Sequence, residues 1–305
     1  MNNSGFDSTV LPRFFGDDSG CLLYSRQTHN TTTAVRILHI HPAFIVFRAL
    51  IVTMLGQHHV SLSVLTALIL LIPYMHSHTS LSAIILFGVA IGSLVPDADS
   101  SDAAIFHRKV KGGSKGYIQA INSLVAPIFP VFGYATRYLI YRPLIFILPR
   151  TLLKDYKIEE KHRGFLHSFI GIFMAAILTA IYISIILAAV HLLDLIHLIA
   201  FFIAYIFGAL LHLIEDGATV SGVTFNYPFS NITMRGTIRT RLDSVRKPNL
   251  FAEYLMGLFV VVFFITELDL VSISDWVITI LSALFLIFSW IVFLFLIAKA
   301  KITRT

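Results

Sequence analysis

Of 305 residues, 56% are hydrophobic and only 13% charged, with a mean hydropathy of +0.81. Soluble domains carry about 25% charged residues, so a water-facing globular protein is excluded, and one helical membrane bundle uses this length better than two soluble domains. The formal net charge of +6 is read through where Lys and Arg fall along the chain, because their distribution sets orientation in a membrane protein.

Residues 1–40 are polar, with Asp7, Asp17 and Asp18 and no early apolar run. No secretory signal is expected there, and the segment is expected to lie in solvent on the cytoplasmic side. Cys21 is the only cysteine, so intramolecular disulfides are excluded and thiolate metal ligation is disfavoured. Any metal must then be held by nitrogen and oxygen.

The composition and patterning predict an all-α fold, a polytopic transmembrane helical bundle of about six spans. Apolar stretches suited to crossing a bilayer fall at about 59–76, 81–96, 165–190, 196–214, 250–268 and 277–298, by the ~20-residue criterion. The second is short. Residues 42–56 contain Arg48, and 118–153 are broken by Pro127, Pro130, Pro143 and Pro149 with Arg137, Arg142 and Arg150 between them. Both read as interfacial or re-entrant helices, with an extra pair of spans in 118–153 as the alternative. The membrane-embedded domain is thus expected over 41–298, its core motifs over 58–230, followed by a basic tail at 299–305.

Residues 60–107, 164–234 and 248–298 contain no Lys or Arg. Alternating spans place the turns at 76–80, 191–195 and 269–276 on one side and all 23 basic residues on the other. The positive-inside rule makes the basic side, with both termini, cytoplasmic, which predicts a multi-pass plasma-membrane protein.

The same side collects His and acidic groups at span ends. His58 and His59 open the first span, Asp97 and Asp99 close the second, His162 and His167 open the third, and His212, Glu215 and Asp216 close the fourth. Imidazole and carboxylate together suit zinc, manganese or iron, whereas calcium and magnesium prefer oxygen alone. His212 and Asp216 are four apart and share a helix face. His162 and His167, five apart, diverge by about 140° on a helix, so His162 is expected in the loop before Gly164 and His167 in the first helical turn. Asp97 and Asp99 flank one small residue and suit a bridge between two ions.

An HxxxD pair or an Asp-x-Asp pair alone is a weak sign, since helix-end His and Asp often face water or cap. Together they weigh more, because ionisable groups at membrane depth are costly unless paired or metal-bound. His39, His41 and His107 lie in basic segments and read as solvated; His76, His78, His191 and His197 lie at or near the opposite face. The Phe-rich stripe of 251–298 reads as lipid-facing or core packing.

Taken in order, His59, Gly92 through Asp99, the heptad His162-Arg163-Gly164-Phe165-Leu166-His167-Ser168, and Gly208 through Asp216 with Thr219, Ser221-Gly222-Val223 and Tyr227-Pro228 resemble the YdjM-like family of membrane-bound, metal-dependent hydrolases. The resemblance covers roughly 58–230 and implies a metal set of His59, Asp97, Asp99, His162, His167, His212 and Asp216. The family is distantly similar to zinc-dependent phospholipase C and P1-type nucleases. Here Ser100 stands where the family commonly has His, the stretch from Asp99 to His162 is longer than usual, and the long leading segment leaves His58 and His59 as alternatives.

The expected function is hydrolysis of a phosphate ester or phosphodiester of a membrane amphiphile at the cytoplasmic interface. Two or more divalent ions, zinc foremost with manganese or iron as alternatives, would act with Glu215 as base or supporting group and Arg163 on a phosphate oxygen. Membrane lipids and an amphiphilic phosphate-containing substrate are the expected partners; nucleic acid is disfavoured, because topology alone accounts for the basic residues. A metal-ion transporter is the alternative, and a scaffold with a structural metal a third.

Overall fold

The computed structural model describes residues 55–100, 103–106, 128–151, 153–156, 158, 162–239, 246–268 and 273–304. The polar segment 1–40, most of 42–56, His107 and the first part of 118–153 lie outside them.

Among the described residues, five helical stretches are long and apolar enough to cross a membrane: Thr79–Asp99, Phe169–Ala189, Leu195–Gly217, Arg246–Glu267 and Asp275–Ile297. The sixth expected span is the shorter apolar helix His58–Tyr74. The short element is therefore the first, not the second. Helix α1 (Leu55–Leu71) gives way to a 3-10 turn at Ile72–Tyr74, where Pro73 cannot continue the i to i−4 ladder. Helix α2 (Thr79–Gly92) instead runs on through Ser93 into the 3-10 turn Pro96–Asp99, carrying its acidic end further.

The insertion contributes a continuous helical run despite its prolines: α3 (Ile128–Ala135), a π-turn at Thr136–Tyr141, α4 (Arg142–Ile147) and a 3-10 turn at Leu148–Arg150. Pro143 has no N–H to offer the carbonyl of Leu139 four residues earlier. The hydroxyl of Tyr182 donates to that carbonyl instead, at 3.2 Å. Ile140, Tyr141, Leu144 and Leu148 form the buried face of the run, in a cluster with Ala98, Phe165 and Ala175.

Helices α5 (Phe169–Ala189), α6 (Leu195–Gly217), α7 (Arg246–Glu267) and α8 (Asp275–Ile291) complete the bundle. Ser168 caps α5 by accepting from the Gly171 N–H, and Asp194 caps α6 by accepting from Ile196 and His197. Helices α2 and α6 meet along Gly88, Gly92, Ala204 and Gly208, where a Cβ on Gly92 would strike the Tyr205 carbonyl and one on Gly208 that of Val89. Small residues four apart let two helix backbones approach this closely. On the other side, Leu62, Leu65 and Ile69 of α1 pack with Phe251, Leu255 and Trp290.

Contacts at the two ends fix the alternating directions. At one end His76 meets Glu267 at 2.7 Å and Ser80 meets His197 at 3.3 Å. At the other, His58 meets Asn249 at 2.6 Å and the Thr237 N–H donates to the Ala298 carbonyl at 2.8 Å. The bundle's flanks expose Ile185, Ile196, Ile203, Leu284 and Phe288, a surface suited to lipid rather than water. The Phe-rich stripe divides as expected: Phe288 faces outward, while Phe251 and Phe293 stack inside at 4.2 Å.

The basic tail expected at 299–305 carries a strand. Strand β2 (Lys301–Arg304) pairs antiparallel with β1 (Ile232–Arg235), Ile232 opposite Arg304 and Arg235 opposite Lys301. Alternation in so short and basic a segment carries too little hydrophobic signal to announce a strand.

Candidate metal centre

Four elements converge at the basic end of the bundle. α1 brings His59, the Pro96–Asp99 turn brings Asp97 and Asp99, the turn before α5 brings His162, Arg163 and His167, and the last turns of α6 bring His212, Glu215 and Asp216. All seven expected ligands lie within this cluster. Their donor atoms form three groups, each drawn together within 4.8 Å: His59 with His212 and Asp216, Asp97 with His167 and His212, and Asp99 with His162 and His167.

The close approach of α2 and α6 sets the first imidazole. Nδ1–H of His212 donates to the Ser93 carbonyl at 2.7 Å; since a carbonyl only accepts, this fixes the proton on Nδ1 and leaves Nε2 as the nitrogen that can bind a cation. That Nε2 lies 3.7 Å from Asp97 Oδ1 and 3.6 Å from Asp216 Oδ2. Nε2 of His167 faces the same two oxygens, at 3.6 and 3.2 Å, while its Nδ1 lies 3.2 Å from Asp99 Oδ2. His167 sits in a 3-10 turn, Phe165–His167, one residue before the Ser168 cap rather than inside the helix. The ring of His59 stacks on that of His212 at 4.0 Å, and its Nδ1 lies 2.7 Å from Glu215 Oε2. His58 turns away to Asn249, so of the two neighbouring histidines His59 faces the cluster.

Arg163 stands at φ 59°, in the left-handed region that side chains other than Gly, Asn and Asp seldom adopt. From there its backbone N–H donates to Asp99 Oδ2 at 3.0 Å, and its guanidinium reaches Asp216 Oδ1 at 2.5 Å, Thr219 Oγ1 at 2.8 Å and the Gly222 carbonyl at 3.2 Å. The fork thus points inward onto a carboxylate. His162 lies 3.0 Å from Asp99 Oδ1 and is half exposed, and Asp97 is partly open; together they form the side that solvent reaches.

Whether a cation suits this cluster is decided by its unpaired atoms. His167 Nε2, His212 Nε2 and Asp216 Oδ2 are buried without a hydrogen bond of proper geometry. Each buried polar atom left so costs about 1–3 kcal/mol. Asp97, Asp99, Glu215 and Asp216 also bring four carboxyl groups against the single guanidinium of Arg163, an imbalance that a buried site resolves by binding cations or protons. Burial disfavours charge on His167, but Asp216, Asp97 and Asp99 together outweigh it and raise its pKa well above the ordinary histidine value. The donors are nitrogen and oxygen only, a set suited to zinc and its neighbours. These buried His and Asp groups can hold a metal ion.

Spacing alone did not reveal three supporting groups. Ser63 Oγ donates to Glu215 Oε1 at 3.5 Å; lying four residues after His59 on α1, it is visible in hindsight as a same-face partner. The Ser93 carbonyl and the Asn249 partner of His58 had no sequence signal.

A bundle of apolar helices with a buried His/Asp donor cluster at one end defines a multi-pass membrane protein with a metal-binding type of centre. The family model described as YdjM inner membrane protein matches residues 54–300. The chain belongs to that family. Comparison with curated proteins and with solved structures finds no match.

Proposed function

We propose that this chain is an integral-membrane, metal-dependent hydrolase that cleaves a phosphate ester or phosphodiester of a membrane amphiphile at the cytoplasmic interface. The observation that carries the reading is the convergence of His167 Nε2 and His212 Nε2 on Asp97 Oδ1 and Asp216 Oδ2, all within 3.2–3.7 Å and open to solvent past Asp97 and His162.

In this reading His59, Asp97, His167, His212 and Asp216 hold the principal ion. With Nδ1 of His59, His167 and His212 facing Glu215, Asp99 and the Ser93 carbonyl, the three Nε2 atoms are the nitrogens left to bind. Oxygen partners behind imidazole ligands fix their tautomer and raise their basicity. A divalent ion such as zinc supplies Lewis acidity and a nucleophile at neutral pH. Asp99 and His162 serve a second ion or, because His167 Nδ1 faces Asp99, orient His167. Glu215 positions His59, the role its 2.7 Å contact favours over that of a base. Arg163 positions Asp216 through its guanidinium fork. Half-exposed His162 and partly open Asp97 are where a phosphate group meets the centre.

The test is turnover by protein reconstituted with zinc or manganese, on phospholipid vesicles and on the soluble diester bis(p-nitrophenyl) phosphate. His167→Ala and Asp97→Ala are expected to abolish it; equal activity in all three proteins overturns the proposal. Metal flux into proteoliposomes without hydrolysis would favour transport instead. The cytoplasmic assignment rests on the Lys/Arg distribution, and labelling of Cys21 in cells with a membrane-impermeant maleimide checks it: protection until permeabilisation is expected.

A further inference from the structure

The helical run Ile128–Arg150 has one face packed against the elements that carry Asp97 and His167, and an opposite face that the bundle does not cover. On it Tyr134, Tyr138, Arg142, Phe146 and Arg150 follow at four-residue intervals and are all exposed, Phe146 by 60%. Tyr134 stacks on Tyr138 at 6.3 Å, the Arg142 guanidinium lies 4.7 Å over the Tyr138 ring, and that of Arg150 lies 3.9 Å over Phe146. Arg137 lies 5.7 Å over Phe106 beside them. No acidic side chain among the described residues pairs with these arginines, and no Asp or Glu stands anywhere between Asp102 and Asp155.

Three properties of this stripe select its occupant. Rings and arginines alternating along one exposed ridge suit the depth where hydrocarbon meets headgroups, since aromatic rings settle there and arginine stems lie along apolar surface. A guanidinium held over a ring is shielded on one face and keeps in-plane N–H groups for an oxyanion; in Arg150 one of them, on Nη1, donates to the Phe146 carbonyl at 2.6 Å, which fixes the fork and leaves Nε and Nη2 to the ligand. The absence of carboxylates over the whole insertion leaves its arginines without an acidic partner in their own segment.

The geometry points to a binding site for the phosphate of an anionic phospholipid headgroup on this stripe, with Arg142 and Arg150 as its donors and Tyr138 and Phe146 as the platforms that hold them. This deepens the proposed function by naming the part of the amphiphile that is gripped beside the metal centre. Lipid capture needs no turnover, so the two readings fail separately.

Native mass spectrometry of the full chain released from nanodiscs of equal phosphatidylglycerol and phosphatidylcholine reads out bound lipid directly. The wild type is expected to retain phosphatidylglycerol selectively. Arg142→Gln/Arg150→Gln is expected to lower that selectivity about 25-fold, from roughly a fivefold contribution per arginine near a membrane surface. Arg142→Lys/Arg150→Lys, which restores the charge, is expected to recover much of it. Hydrolysis of bis(p-nitrophenyl) phosphate, if present, is expected to be unchanged in both variants. Unaltered phosphatidylglycerol selectivity in the Gln variant overturns the proposal, as does equal loss in the Lys and Gln variants. Displacement of the lipid by millimolar inorganic phosphate would identify a free-phosphate site and overturn it too.

Discussion

Nδ1–H of His212 donates to the backbone carbonyl of Ser93 at 2.7 Å, a bond that exists only because α2 and α6 touch through glycine. Gly92→Ala and Gly208→Ala each place a methyl group against the opposing backbone. Each is expected to destabilise the bundle by about 1–3 kcal/mol and to weaken zinc binding by moving the Ser93 carbonyl. Thermal unfolding and zinc titration in detergent measure both; unchanged values for Gly92→Ala would count against the helix contact as a determinant of the site.

Glu215 stands behind His59, with Ser63 behind it. Glu215→Gln preserves shape but replaces the carboxyl group that faces His59 Nδ1 at 2.7 Å with an amide, loosening the control of the His59 tautomer. Zinc affinity is expected to fall about 10–100-fold, with far-UV circular dichroism unchanged. A general base would instead show full metal affinity and lost turnover, so metal content and rate measured on one preparation separate the roles.

Arg163 holds Asp216, Thr219 and Gly222 with one fork and does so from a left-handed backbone. Arg163→Lys keeps the charge but cannot make three divergent contacts. It is expected to cost about 1–3 kcal/mol of stability through unsatisfied buried groups and to lower metal occupancy. Arg163→Gly, which relieves the backbone, should lose occupancy too, because the fork and not φ is what the site needs. Inductively coupled plasma mass spectrometry of purified variants reads the outcome.

Protons and metal compete for the same histidine. The surrounding carboxylates raise the pKa of His167 well above the ordinary value, so in the metal-free protein they favour the protonated ring. Zinc binding is expected to release about one proton at His167 and to weaken as pH falls. Calorimetry in buffers of different ionisation enthalpy measures the release. For the metal-free fold the sign is opposite: this group stabilises most below the ordinary histidine pKa, and its contribution is lost as pH rises through the raised value.

Strand β2 pairs with β1, and the segment around β1 in turn bonds the loop that holds Arg163: Met234 exchanges backbone bonds with Val223, and the Gly236 N–H donates to the Thr219 carbonyl. Deleting Lys301–Thr305 is expected to free the backbone at Arg235, whose side chain is already exposed, for cleavage by trypsin and to reduce zinc affinity while leaving the helical content in place. Trypsin sensitivity of the full-length chain equal to that of the truncated one would show that β2 contributes nothing to this brace.

The spans and their alternating order were legible in the sequence because a bilayer demands about 20 apolar residues per crossing. So was the gathering of His59, Asp97, Asp99, His162, His167, His212, Glu215 and Asp216 at one end, since alternation puts every span end of one parity on one face. Only the tertiary structure decided what each group meets. His59 rather than His58 faces the cluster because of its position around α1, Arg163 turns to Asp216 because its φ is positive, and Nδ1 of His212 finds Ser93 because two glycine-lined helices touch. The β1–β2 pair and the continuous helix through Pro143 were likewise hidden. Apolar length is a local property that hydropathy records along the chain. The direction of a ring nitrogen depends on backbone turns and helix contacts between residues as far apart as Ser93 and His212, and no local pattern encodes it.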